Sequence, residues 1–254
     1  MGGHDEGGRA GLRITFVGSG DAFGSGGRFN TCFHVAAERT SFLIDCGASS
    51  LIALKRLAID RAGIDLILLT HFHADHFGGV PFLVLDAQLV AKRTRPLTIA
   101  GPPGLQAWYE RAFAATFPGE RALPFPLTLH ELTIGAPNRV GELAITPFHV
   151  RHDDRAGPCL AHRIELDGRT ICYSGDTEWV DTLIEAARGA DLFICECYMY
   201  ERPVRAHIAL SILRQHLPAI GAKRVILTHM SENMLGRLGE VEYETADDGK
   251  VIEL

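Results

Sequence analysis

Residues 65–79 read DLILLTHFHADHFGG and contain the most informative segment of the chain. Its first half, Leu66–Leu69, is a continuous apolar run. That suits a strand buried on both faces of a layered α/β protein, because a half-solvated strand alternates apolar with polar. Its second half sets four metal-capable side chains, His71, His73, Asp75 and His76, within six residues. Alternation along an extended chain puts His71 and His73 on the same side. A tight turn before Gly78-Gly79 brings Asp75 and His76 back toward the same point. Imidazole together with carboxylate suits zinc, or the later divalent metals, better than magnesium or calcium.

Working outward, short apolar strands recur, each closed by a turn signal. RITFVG (13–18) leads into the loop GSGDAFGSGGRFN, and CFHVAA and TSFLIDC form a hairpin. A helix follows from about Ser49 to Leu57, and another over VPFLVLDAQLVAKR (80–93). The pattern then begins again. LTIAG is a strand, and PGLQAWYERAFAATF reads as a helix opened by Pro103. LTLHELTI and ELAITPFHV are strands, and AHRIEL and RTICYSG form a hairpin turned at Asp167-Gly168. Asp176-Thr177 offers a cap for the helix EWVDTLIEAARG. LFICEC, the helix HIALSILRQHL and the buried strand RVILTHM complete the series. Two strand-rich stretches interleaved with helices predict an α/β fold, a four-layer αββα sandwich in a single domain over residues 12–254. The polar, glycine-rich residues 1–11 read as a flexible N-terminal tail. His152, Asp176 and His229 each follow a strand, as site residues of such sheets do.

Bulk properties narrow the function classes. The 254 residues carry a formal net charge of −6, so a long polyanion is not drawn in by overall charge. Six cysteines, several inside apolar runs, show no paired framework and read as buried free thiols of a reducing compartment. No apolar stretch reaches the roughly 20 residues that a membrane span needs, and the N-terminus lacks the pattern of a signal peptide. The expected address is cytoplasmic, with no membrane partner. The glycines from Gly18 to Gly27 match neither phosphate-loop nor dinucleotide spacing. They read as a loop flanking the metal site, with Arg28 and Asn30 as candidate substrate-facing groups.

T-H-x-H-x-D-H, the earlier Asp45 in LIDCG, a later histidine, S-G-D-T around Asp176 and the final L-T-H at His229 together resemble the metallo-β-lactamase superfamily. The resemblance runs from about Arg13 to Met230. It implies that His71, His73 and His152 hold one metal. Asp75, His76 and His229 would hold the other, with Asp176 bridging them. It implies two zinc ions, with manganese or iron as alternatives, and a supporting hydrogen-bonding role for Asp45. His149 lies three residues before His152 and competes for its place; the family pattern favours His152. His34, His130, His162 and His216 read as structural or surface residues.

Within the superfamily the chain is most similar to the ribonuclease Z and phosphodiesterase branch. VGSGDAFGSGGRFNTCF (17–33) resembles its opening strand and loop, and GAKRVILTHMS (221–231) its final motif. His207 stands near that branch's extra histidine, which helps protonate the leaving group, although Ile208-Ala209 departs from the pattern that usually follows. Ribonuclease Z carries a long tRNA-gripping insertion between its third and fourth motifs, whereas only a short hairpin joins His152 to Asp176 here. The resemblance therefore implies a dinuclear-metal hydrolase, a phosphodiesterase of small or nucleotide-like substrates. A metal-bridging hydroxide would attack, and Asp75 and His207 would be the catalytic residues. Hydrolysis of an ester, thioester or lactone at the same centre is the alternative. Iron redox chemistry is disfavoured because His73 stands where the diiron relatives carry glutamate. The expected partner is a small molecule and not a long nucleic acid. A homodimer is compatible with the family, and no feature of the sequence decides it.

Overall fold

The computed structural model describes residues 11–119 and 122–254, so the expected tail lies outside the described residues except for Gly11. The first half of the chain runs β1 (Arg13–Gly18), β2 (Cys32–Ala36), β3 (Ser41–Ile44), α1 (Ser50–Arg56) and β4 (Leu66–Leu68). It continues through α2 (Ala74–Phe77), α3 (Val80–Leu89), β5 (Leu97–Gly101), α4 (Leu105–Thr116) and β6 (Leu127–Glu131). The second half runs β7 (Asn138–Val140), β8 (Leu143–Val150), β9 (Cys159–Leu166), β10 (Arg169–Tyr173) and α5 (Thr182–Ala187). Then come β11 (Leu192–Glu196), α6 (Leu210–Ile220), β12 (Val225–Thr228), α7 (Glu232–Leu235), β13 (Glu244–Thr245) and β14 (Val251–Glu253).

These strands form two seven-stranded sheets, in the orders β14-β1-β2-β3-β4-β5-β6 and β13-β12-β11-β10-β9-β8-β7. The predicted αββα sandwich is what forms. Phe16, Phe33, Ile44, Tyr173, Ile194 and Ile226 fill the space between the sheets. Phe33 meets Phe16 and Tyr173 edge-on, each at 5.1 Å between ring centres. The outer face of the first sheet buries Leu43, Ile67 and Ile99 under Leu54, Val84 and Leu105 of the helices. The outer face of the second buries Cys172, Phe193 and Leu227 under Leu183, Leu213 and Leu217. This double burial explains why β4, β11 and β12 are apolar without alternation. All six cysteines are free and buried, as expected.

Several local readings are corrected. Pro103 does not open α4; the chain turns through Gly104 at φ 93, and Leu105 is the first helical residue. The helix expected over 80–93 ends at Leu89, because Lys92 turns left-handed at φ 51 and the Arg93 guanidinium reaches back to the carbonyls of Ala62 and Arg95. Asp176-Thr177 does not cap a helix. α5 starts six residues after Asp176, at Thr182, and the Thr177 amide instead donates to Glu196 Oε1 at 2.6 Å. The turn at Asp167-Gly168 forms as expected, with φ of 50 and 73.

The loop after β3 packs on the HFHADH turn and holds it. Cys46 N donates to His76 O at 2.7 Å, Ala48 N to Ala74 O at 3.0 Å and Gly79 N to Cys46 O at 2.9 Å. The backbones approach so closely that a Cβ on Gly79 would stand 2.2 Å from Gly47 O. Only glycine fits there.

Candidate metal centre

The ends of β4, β8, β10 and β12 lie on one edge of the sandwich and carry the predicted residues. His71 to His76 follow β4, His152 follows β8, Asp176 follows β10 and His229 follows β12. The structure brings all seven together. Ligand atoms of His71, His73 and His152 lie within 4.8 Å of one another, as do those of Asp75, His76, Asp176 and His229. Asp176 stands between the groups: Oδ1 is 3.1 Å from His76 Nε2, and Oδ2 is 3.2 Å from His229 Nε2 and 3.8 Å from His152 Nε2. Asp75 Oδ2 lies 3.4 Å from His76 Nε2.

The outward nitrogens explain why the inward ones converge. His71 Nδ1 meets Thr70 Oγ1 at 3.0 Å, His76 Nδ1 meets Asp45 Oδ2 at 2.6 Å, and His229 Nδ1 meets Thr31 Oγ1 at 3.3 Å. His152 Nδ1 donates to Ala206 O at 2.9 Å. Each contact fixes a ring and turns its Nε2 inward. His73 is reversed: its Nδ1 faces His152 Nε2 at 3.0 Å, and its Nε2 looks toward Asp153 Oδ2 at 3.8 Å. Asp45 also accepts from Thr70 N and Thr70 Oγ1, both at 2.8 Å, and so ties the strand end to the turn. Its own backbone is left-handed, at φ 59.

Electrostatics follow burial and neighbours. Burial, then the adjacent His76, holds His71 well below its usual value, so its imidazole is neutral. Burial alone would depress His76, yet Asp176, Asp75 and Asp45 raise it well above its usual value. Burial would raise Asp176, but His229 and His76 hold it well below the carboxylate range.

The residues present fit a bound metal. His71 Nε2 is buried without a hydrogen-bond partner, and His76 Nε2 and Asp176 Oδ1, although 3.1 Å apart, are not aligned for a hydrogen bond. Such atoms cost about 1–3 kcal/mol each when left unpaired. Here they point at common centres, and a cation satisfies several at once. The donor set is imidazole nitrogen and carboxylate oxygen, the chemistry of zinc and its neighbours.

His207 joins the edge of this cluster. One atom each of His152, Asp176 and His207 fall within the same 4.8 Å limit. His207 Nδ1 bonds Glu196 Oε1 at 2.9 Å, and its ring stacks on Tyr198 at 4.6 Å between centres. Burial would lower this histidine, but the Glu196 carboxylate outweighs it and raises the group to about 9. His149, the rejected competitor, instead pairs with Asp154 at 3.1 Å on the surface. His162 is buried against Leu69 O at 2.9 Å, and His216 stacks on Trp179. Arg28 and Asn30, the expected substrate-facing groups, have their donors engaged within the protein. Arg28 Nη1 donates to Ala246 O at 2.8 Å and ties the glycine loop to the segment before β14, and Asn30 Nδ2 donates to Asp21 O at 2.9 Å within the loop.

Sequence reasoning missed Glu196 and Asp153. Glu196 is fully buried and accepts from Thr177 N, His207 Nδ1 and Ile208 N. The available signal was an acid inside the apolar run LFICEC, since a buried carboxylate needs donors. Asp153 gave no signal beyond its place next to His152.

Comparison with known proteins bears on the family and the fold. Residues 40–230 match the family model described as the beta-lactamase superfamily domain. A ribonuclease Z of Agathobacter rectalis is 28% identical over 276 aligned positions, covering 88% of this chain and 89% of the relative. That alignment is longer than the 254-residue chain, so the relative carries residues this chain lacks. The metallo-beta-lactamase fold protein YhfI of Bacillus subtilis superposes with a TM-score of 0.78 at 22% identity, covering 96% of this chain and all of that one. The short form of human tRNase Z superposes with a TM-score of 0.76 at 25% identity, covering 94% and 98%. Sequence, fold and converging side chains lead to one assignment: the chain belongs to the metallo-β-lactamase superfamily of metal-dependent hydrolases and is similar to its ribonuclease Z members.

Proposed function

We propose that the chain is a dinuclear-metal phosphodiesterase of small or nucleotide-like substrates. His71, His73 and His152 would hold one metal, Asp75, His76 and His229 the other, and Asp176 both. When bound, zinc would supply Lewis acidity and lower the pKa of water from about 16 toward about 7. Asp75, buried beside His76, would orient the attacking water through its carboxylate. His207 would carry the departing proton on Nε2, because Nδ1 is committed to Glu196. As water oxygen bonds to phosphorus and the phosphorus–oxygen ester bond breaks, that proton passes to the leaving alkoxide.

The observation that carries this reading is the Glu196–His207 pair beside His152 and Asp176. The buried Glu196 carboxylate on Nδ1 favours the protonated ring and so leaves a proton on Nε2. An alkoxide leaving group needs that proton. A thiolate, with a parent pKa of about 8.5, does not, so the pair favours phosphodiesters over thioesters. The small substrate is supported by a cavity of about 660 Å³ at His73 and His152 and by the short loop 151–158 between β8 and β9.

Hydrolysis of bis-p-nitrophenyl phosphate and of an alkyl nitrophenyl diester series by the zinc-loaded protein tests the reading, beside thioester and lactone panels. His207→Ala should slow diesters with poor leaving groups at least tenfold more than those with good ones. Equal slowing removes the proton-donor role. Turnover of thioesters or lactones alone replaces the phosphodiesterase reading with the acyl one. Among the described residues no helix is long and apolar enough to cross a membrane.

A further inference from the structure

We propose that Arg205 forms an anion subsite that takes a second phosphate group of the substrate, an inference that rests on the phosphodiesterase reading for what lies at the metal end. The cavity that begins at His73 and His152 extends outward to a wall containing Arg155 and Arg205. The two arginines differ. Arg155 Nε donates to both oxygens of Asp153, at 2.8 and 3.0 Å, so its charge is already met. Asp154, the other acid of this wall, is engaged by His149 and by the amide of Cys159. Arg205 pairs with no carboxylate among the described residues. It is the cation of this wall whose guanidinium is left for a ligand.

The backbone that carries Arg205 is built to hold it there. Val204 and His207 pair in antiparallel fashion, so Arg205-Ala206 is the two-residue tip of a tight turn. Ala206 sits at φ 70, a left-handed conformation that a residue with a Cβ rarely adopts. Such strain persists only where the surroundings over-determine it, and it gathers at ligand clamps. The tip and its C-terminal flank are tied to the cluster: Ala206 O accepts from His152 Nδ1 at 2.9 Å, while His207 Nδ1 and Ile208 N both bond Glu196. Arg205 therefore projects from a fixed base next to a centre residue. A guanidinium fork matches phosphate oxygens in pairs. About 660 Å³ leaves room for a nucleoside-sized group between that phosphate and a diester at the histidines. The substrate class is thus a small phosphodiester bearing a second, terminal phosphate.

Calorimetric binding of thymidine 3′,5′-bisphosphate and thymidine 5′-monophosphate to the zinc-loaded protein tests the subsite without relying on turnover. The native protein should bind the bisphosphate about tenfold more tightly. Arg205→Ala should abolish that preference and leave the monophosphate Kd unchanged, and Arg205→Lys should restore part of it. Equal affinities in the native protein, a preference that survives Arg205→Ala, or equal weakening of both ligands overturns the subsite. A preference without diester cleavage leaves the subsite standing and removes the hydrolytic reading. Cleavage without a preference does the reverse.

Discussion

Replacing Glu196 with glutamine keeps the shape of the side chain and removes its charge. Oε1 accepts from Thr177 N at 2.6 Å and His207 Nδ1 at 2.9 Å, and Oε2 accepts from Ile208 N at 3.1 Å. An amide has one accepting oxygen, so either orientation sets an NH2 against a buried donor. Leaving one donor unsatisfied costs about 1–3 kcal/mol, and the remaining bonds lose their charge assistance. The sum is about 3 kcal/mol, large beside the roughly 5–15 kcal/mol that holds a typical domain. Urea unfolding followed by circular dichroism, with chelator present so that metal binding does not contribute, reads this directly. With an m-value near 3 kcal/mol per M, the midpoint of Glu196→Gln should fall by about 1 M. A midpoint within about 0.2 M of the native protein would refute the claim that this carboxylate is the fixed anchor between the loop after β10 and the turn before α6.

Glu244 supplies a pH-dependent contribution at the edge of the second sheet. Hydrogen bonds from Arg224 at 2.8 Å, helped by Lys250, lower it from 4.5 to about 2. Its stabilisation is therefore complete above pH about 4.5 and lost as pH falls toward about 2. Glu244→Gln should cost about 1 kcal/mol at pH 7, discounted because a third of the side chain is exposed, and only a small part of that at pH 2; denaturation at both pH values checks it. Gly79→Ala should destabilise by at least about 3 kcal/mol, since its Cβ would stand 2.2 Å from backbone oxygen that has nowhere to move; a thermal midpoint unchanged from native would show that the turn is not packed as described.

The parts of the fold that were legible in the sequence are those whose burial is set within one segment. β4, β11 and β12 announce themselves as apolar runs because both faces are covered. HFHADH is dense enough to be read without a partner. The sequence also identified Asp45 through resemblance, and the structure places it on Thr70 and His76. The parts that were not legible depend on distant contacts. β7, β13 and β14 are two or three residues long, and they are strands only because a neighbour pairs with them. Thr177 reads as a helix cap until Glu196, nineteen residues away, takes its amide. Arg28 and Asn30 read as substrate-facing until the fold gives Arg28 the carbonyl of Ala246, 218 residues away, and Asn30 the carbonyl of Asp21. In each case a local reading lost to a contact that only the folded chain supplies.

The convergence of scattered side chains on a paired-cation centre is tested most directly by metal content. Zinc-loaded protein, freed of unbound metal by gel filtration and measured by mass spectrometry, should carry two zinc ions per chain, the number a bridging carboxylate serves. Asp176→Ala should retain less than one. Zinc retained in full by Asp176→Ala, or absent from the native chain, would contradict it.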